Sequence, residues 1–297
     1  MGADRTSPVV RDSALAFMSR PRDLPPPPPP LPVPVVDAHT HLDACGATDS
    51  AGVRAALDRA AAVGVAAVVT VADDMASARW VVQASSWDHR VFAAVALHPT
   101  RTATMTDADR AELERLATAP RVVAVGETGL DYYWDYSPHH AQQEAYRWHI
   151  DLAKRLGKPL VIHDRDAHRD VLDILAQETA PPTVVFHCFS GDAAMARACV
   201  DAGYVLSFSG TVTFRNAHGL REAAVLVPDH QLLVETDAPF LTPHPHRGKA
   251  NEPVNLPYTV RDLAALRGQD EAELAASSAA TAERVFRFTA TDTADRI

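Results

Sequence analysis

Cysteine is scarce: the 297 residues contain three, Cys45, Cys188 and Cys199, with no CxxC spacing. An odd, widely spaced set excludes a small disulfide framework and points to reduced thiols. Glycine, at 13 residues, is too sparse for a collagen-like repeat. No run of 18 apolar residues occurs, which excludes a membrane-spanning helix and gives the expectation of no membrane partner. The longest apolar stretch near the N-terminus, Ala14 to Met18, is too short for a secretory signal. These absences lead to the expectation of a cytoplasmic protein. Positive charge is also short, with 28 basic residues against 38 acidic ones and a formal net charge of −10. That argues against coating nucleic acid through bulk charge, though not against a locally basic groove.

Apolar residues make up 47% of the chain, enough to bury a sizeable core in one large domain or two ordinary ones. Two residue types are abundant, with 22 prolines and 14 histidines. Pro25 to Pro30 is unbroken and flanked by Pro21, Pro32 and Pro34. Such a run favours polyproline II. Residues 1–34 are therefore expected to form a mobile, disordered proline-rich leader ending in a stiff spacer, a solvated tail that could alternatively dock an SH3-like partner. The catalytic domain is expected over residues 35–297.

Beyond the leader, short β-branched runs alternate with alanine-rich helical stretches. The runs are Val33–Asp37, Val65–Val71, Val91–Leu97, Arg121–Gly126, Pro159–His163, Thr183–His187, Tyr204–Ser209 and Leu232–Asp237. Each is nearly continuous in apolar residues, as expected for a strand covered on both faces. Helical periodicity marks Ala51–Val63, His140–Leu156 and Ala167–Gln177, with start signals such as Thr106-Asp107 and Ser137-Pro138. Strand starts recur about every 28 residues, the size of a βα unit. The fold class is α/β, and eight such units predict a (β/α)8 TIM barrel. A doubly wound open sheet is the alternative, but no GxGxxG follows the first strand.

The chemistry lies where the strands stop being apolar. Strand one ends in Asp37-Ala38-His39-Thr40-His41, strand three in His98-Pro99, strand four in Glu127, strand five in His163, strand six in His187 and strand eight in Glu235-Thr236-Asp237. In a barrel these ends converge on the catalytic face. His39 and His41, two apart, share one face of a strand and can chelate a cation. Six ligands, His39, His41, Glu127, His163, His187 and Asp237, are too many for one catalytic metal and suit two divalent cations (Mg, Zn or Mn). Glu127, midway in strand order, is the natural bridge. Asp237 can both ligate and take a proton from water, and paired cations clamp the oxygens of a displacement. His98 either lines the pocket or hydrogen-bonds ahead of Pro99. Cys188, beside a histidine, is expected as a small strand residue facing the helices rather than as a nucleophile.

These residues resemble the TatD family of metal-dependent deoxyribonucleases, within the amidohydrolase-like barrels. The matching stretches are Asp37-Ala38-His39-Thr40-His41-Leu42-Asp43, Gly126-Glu127-Thr128-Gly129-Leu130-Asp131-Tyr132-Tyr133, His187-Cys188-Phe189-Ser190-Gly191, Glu235-Thr236-Asp237-Ala238-Pro239 and Arg247-Gly248-Lys249-Ala250-Asn251-Glu252-Pro253. The resemblance runs in order from residue 35 to about 288 and excludes the leader; Glu283 stands where such proteins commonly have Asn. It implies a (β/α)8 barrel, a dinuclear site on the same six ligands, and phosphodiester hydrolysis on DNA. Similar proteins also include deacylases of mischarged transfer RNA, so an amidohydrolase or ester hydrolase is the alternative enzyme class. A non-enzymatic metal-binding scaffold is a third reading.

A nucleic-acid substrate needs phosphate contacts. Arg247 and Lys249, in the loop after strand eight, and Arg165, two past His163, are the candidates. Arg247 could instead pair with Glu252. Tyr132 and Tyr133, with Trp134, could stack on bases or simply pack. Asp131 and Glu235 are candidate partners behind the ligands. So few contacts suit an exonuclease at single-stranded DNA ends, expected to run 3′ to 5′.

Overall fold

The computed structural model describes residues 23–288. Eight parallel strands form one sheet whose spatial order is the chain order. They are β1 Val35–Thr40, β2 Val65–Val71, β3 Val91–Val95, β4 Val122–Asp131, β5 Leu160–Arg165, β6 Val184–Phe186, β7 Val205–Phe208 and β8 Leu232–Val234. Between them run α1 Ser50–Ala61, α2 Met75–Ala84, α3 Asp107–Ala117, α4 His139–Leu156, α5 His168–Glu178, α6 Ala193–Asp201 and α7 His218–Leu226. Helices α8 Leu256–Arg267 and α9 Glu271–Phe286 follow β8. The seam between β8 and β1 closes just beyond β8, where Asp237 N–H donates to His39 O (2.9 Å) and His41 N–H to Ala238 O (2.8 Å). The barrel is the (β/α)8 architecture that the eight runs predict.

Local chemistry sets the boundaries. Thr106 caps α3 in a reciprocal box with Asp109, which leaves neither orphan donor unsatisfied. The expected Ser137-Pro138 start of α4 forms differently. Pro138 occupies the cap with no side-chain bond, and the Ser137 hydroxyl accepts from Ala103 N–H (3.1 Å). Alternation along the strands sorts the core. Val161, Val185 and Leu233 face the barrel interior, while Leu160, Ile162 and Phe186 face the helices. The interior is plugged by Ala282, Val285 and Phe286 from the end of α9. The opposite mouth, at the strand C-termini, is left for polar residues.

The proline-rich leader divides at residue 23. Residues 1–22, with the disorder and partner expectations for them, lie outside the described residues. Residues 23–34 are not a free spacer: they lie along the barrel, with Leu31 buried and its N–H bonded to Val63 O (3.0 Å). Burying Leu31 and satisfying prolyl carbonyls outweigh the freedom of a solvated tail.

Candidate metal centre

Two strand irregularities aim the site. Along β1 and β2, Asp37 pairs with Val68 and Thr40 with Thr70, so three steps on β1 oppose two on β2. Along β4 and β5, Val125 pairs with Leu160 and Thr128 with Ile162, again three against two. Each is a one-residue bulge, which reverses the in–out phase of the strand. Val36, Ala38 and Ala124 face the interior below these bulges. Unbroken alternation would then turn His39, His41 and Glu127 toward the helices; the bulges return them to the mouth. Glycines allow the close approach of β4 to β5. A Cβ on Gly126 would lie 2.5 Å from the Val161 side chain, and one on Gly129, at φ +133°, would lie 2.1 Å from His163 O.

Glu127 sits at the centre, 2% exposed, and its two oxygens face different groups. Oε1 lies 2.5 Å from His163 Nδ1, 2.8 Å from His187 Nε2 and 3.5 Å from His98 Nε2. Oε2 lies 3.3 Å from His39 Nε2 and 4.0 Å from His41 Nε2. Asp237 Oδ1 completes the second group, 3.5 Å from His41 Nε2 and 3.9 Å from His39 Nε2. All six expected ligands therefore converge. Three overlapping triads have ligand atoms within 4.8 Å of one another: His39/His187/Asp237, His39/His41/Glu127 and His98/Glu127/His163.

Hydrogen bonds on the far ring nitrogens decide which imidazoles can ligate. His41 Nδ1 donates to Val71 O (3.0 Å), His187 Nδ1 to Glu235 Oε1 (3.0 Å), and His163 Nε2 to Asp131 Oδ2 (3.0 Å). Burial opposes charge on these rings, yet the facing carboxylates, Asp73 for His41 and Glu127 for His163 and His187, raise all three, His41 to about 10 and His163 to about 9; a cation that displaces the inner proton would take the nitrogen aimed at the centre. Asp131 and Glu235 thus stand behind the rings of His163 and His187. His98 is set the opposite way. Its Nδ1 accepts from Thr100 N–H (3.2 Å), so in the neutral ring Nε2 carries the proton and faces Glu127 as a donor. It lines the pocket and also bonds locally, combining the two expected alternatives.

The set fits a divalent cation. Both ring nitrogens of buried His39 lack a hydrogen-bond partner, and an ion held on Nε2, the nitrogen that faces Glu127 and Asp237, would relieve that cost at one of them. Mixed imidazole and carboxylate donors suit Zn or Mn and tolerate Mg. Burial opposes charge on Glu127, yet His187, His98 and His163 hold its carboxyl well below the usual carboxylate range. Burial likewise opposes charge on Asp237, but the hydrogen bond from His41 and the charge of His187 hold its carboxyl below the usual carboxylate range. Burial, then the neighbouring His187, lowers His39, which favours the neutral ring that can ligate.

Around the mouth, exposed Arg165 lies 4.0 Å over the ring of exposed Tyr133. Tyr132 stacks on His139 at 3.7 Å and its hydroxyl donates to Asp170 (2.7 Å), so one ring face is covered. Exposed Arg247 lies 4.0 Å over Phe214, and Glu252 pairs with Arg59 (2.7 Å) instead. Lys249 is half-buried, its carbonyl accepting from Thr242 Oγ1 (2.7 Å). Cys188 differs from expectation: it lies past β6 in a turn at φ 41°, its N–H bonded to Glu235 Oε1 (2.8 Å). Burial, then the charge of Asp237, pushes its thiol up to about 12, which disarms it as a nucleophile.

Sequence reasoning missed one carboxylate and the role of another. Asp73, at the end of β2, places Oδ1 3.6 Å from His41 Nδ1 and could have been found by reading the β2 end like the others. Asp37, fully buried, accepts from Thr236 N–H (2.9 Å), the Thr236 hydroxyl (2.6 Å) and His39 N–H (3.3 Å), and so fastens the seam that carries His39 and Asp237. No motif announces that role.

The family of TatD-related DNases matches residues 36–287. A metal-dependent hydrolase of Mycobacterium tuberculosis, TatD, is 65% identical over 256 residues, covering 84% of this chain and 97% of the relative. The 3'-5' ssDNA/RNA exonuclease TatD of Erwinia tasmaniensis is 36% identical over 198 residues, 65% of this chain and 76% of that protein. The crystal structure of YJJV, a TatD homologue from Escherichia coli K12, superposes with a TM-score of 0.80 at 29% identity, covering 86% of this chain and 98% of its own. Shared barrel, convergent histidines and carboxylates, and sequence identity agree: the chain belongs to the TatD family of metal-dependent hydrolases.

Proposed function

We propose that the protein is a cytoplasmic 3′–5′ exonuclease that removes nucleotides from single-stranded DNA ends with two divalent cations. The observation that carries the two-cation reading is the division of Glu127, whose Oε1 faces His163 and His187 and whose Oε2 faces His39 and His41. The nuclease reading is supported by the Erwinia relative named as a 3'-5' ssDNA/RNA exonuclease. A cytoplasmic setting is in keeping with three free cysteines, and no described helix is long and apolar enough to cross a membrane.

A bound pair of divalent cations supplies Lewis-acid polarisation of the phosphoryl oxygens and eases deprotonation of water near neutral pH. The chain's residues do the rest. His39, His41 and Asp237 form one donor group, His163 and His187 the other, and Glu127 joins them. Asp237, ionised and at the mouth, accepts the proton of the attacking water on its carboxylate. The water oxygen bonds to phosphorus as the bond to the 3′ oxygen breaks in line; the departing 3′ oxygen is protonated from solvent, to which Asp237 returns its proton. His98 Nε2–H points into the same space as a donor. Arg165 and Arg247 hold neighbouring phosphates, and Tyr133 offers a stacking face.

The test is hydrolysis of single-stranded DNA labelled at either end, with Mg, Mn or Zn, by the wild type and by Glu127→Ala. Mononucleotides are expected from the 3′ end, and none from the variant. Release of the amino acid from a D-aminoacyl-tRNA with no nucleotide release from DNA overturns the reading.

A further inference from the structure

Burial along the proline strap has a period of three. Pro25, Pro28 and Leu31 are buried, and the residues between them are exposed. Three residues per turn is the polyproline II period, so one edge of this helix faces the barrel. The conformation makes no internal hydrogen bonds, which leaves its carbonyls open to other donors. The Tyr258 hydroxyl donates to Pro26 O (3.1 Å), and Arg261 Nη2 donates to Pro29 O (3.0 Å) and Pro30 O (3.1 Å). Both donors stand on α8. Leu31 anchors one end of the strap to Val63, beside the start of β2. The other end reaches the catalytic face, where Asp23 O accepts from Ala250 N–H (3.3 Å).

Ala250 belongs to the loop after β8 that carries Arg247 and Lys249. A second link reaches the same loop: the ring of Tyr258, whose hydroxyl holds the strap, meets the ring of His246 edge-on at 4.9 Å. His246 directly precedes Arg247, which is exposed and lies over the ring of Phe214. The strap also lies outside the part of the chain that the family matches, which begins at residue 36.

We propose that the proline strap braces the Arg247 loop and thereby sets affinity for a polyanionic strand, leaving the chemistry at the metal centre unchanged. This rests on the nuclease reading of the site. A polyproline II segment suits the task because it is already stiff and loses little entropy when docked. Tyr258 and Arg261 act as positioning residues: they hold the strap, the strap and Tyr258 hold the loop, and the loop presents Arg247.

The period of three supplies a matched control. Pro25→Ser/Pro28→Ser removes two prolines from the buried edge, and Pro27→Ser/Pro30→Ser removes two from the exposed edge. Each full-length variant is assayed on single-stranded DNA and on bis(p-nitrophenyl) phosphate, which needs the metal centre but no long contact. The buried-edge pair is expected to raise KM for DNA about five- to tenfold with kcat/KM for the small diester unchanged, and the exposed-edge pair to change neither. Equal effects from both pairs, or equal losses on both substrates, overturn the proposal. Should the buried-edge pair fail to fold, Tyr258→Phe, which removes only the hydroxyl to Pro26, carries the same expectation at smaller size. Hydrogen exchange separates this proposal from the nuclease reading. If the wild type hydrolyses neither substrate, the nuclease reading fails, while faster exchange at Ala250 in the buried-edge pair alone still supports the brace. Unchanged exchange at Ala250 refutes it.

Discussion

His149 offers a sharp test of how the barrel wall is held. It lies on α4, fully buried, between two strands that feed the site. Its Nδ1 faces Ala145 O (2.7 Å) and Thr128 Oγ1 (3.0 Å), and its Nε2 accepts from Leu97 N–H (3.3 Å). This network needs the neutral ring. Burial is the dominant cause lowering its pKa to about 3, against 6.5 for an ordinary histidine. The sign follows from proton uptake. Between pH 6.5 and 3 the unfolded chain binds a proton at this residue that the folded chain does not, so its contribution is complete above 6.5 and is lost as pH falls. From pH 7 to pH 5 that one group removes about 2 kcal/mol, a large share of an ordinary domain's margin. Urea unfolding of the wild type and of His149→Gln at both pH values isolates it. The stability gap between the two is expected to narrow by about 2 kcal/mol at pH 5. A gap that stays the same at both pH values refutes the reasoning, because it means that His149 is not held neutral.

The same packing leads to three further expected outcomes. Asp37→Ala strands the buried N–H groups of Thr236 and His39, and should cost about 2–6 kcal/mol in urea unfolding, against about 1–2 for Asp37→Asn, which keeps one acceptor. Gly129→Ala drives a Cβ to within 2.1 Å of His163 O and should cost more than about 3 kcal/mol or abolish soluble expression; Gly157→Ala, with nothing within 4 Å, should cost only about 1 kcal/mol for its left-handed backbone. Arg165→Ala should raise KM for single-stranded DNA about tenfold while leaving hydrolysis of a small phosphodiester intact; parallel losses on both substrates would show instead that it supports the metal centre.

The sequence by itself determined the barrel and the identity of its six converging side chains. Eight β-branched runs at regular spacing leave little other architecture, and parallel strands place their C-terminal ends on one face. His163 and His187 were legible in direction as well: each lies two residues beyond an interior valine, Val161 and Val185, His163 within β5 and His187 one residue past β6. Direction was not legible for His39, His41 and Glu127. One inserted residue reverses a strand's phase, and a bulge is fixed by pairing with the neighbouring strand, which leaves no mark in the local pattern. The role of His98 likewise depends on which nitrogen Thr100 occupies. The prolines show the same division. Their run specified a stiff extended segment, but whether it stays in water or lies on the barrel depends on Tyr258 and Arg261, which are more than 230 residues away in the chain. Composition and periodicity act locally and were enough to choose the fold. Register, tautomer and docking are relations between distant segments, and only the folded chain brings those segments together.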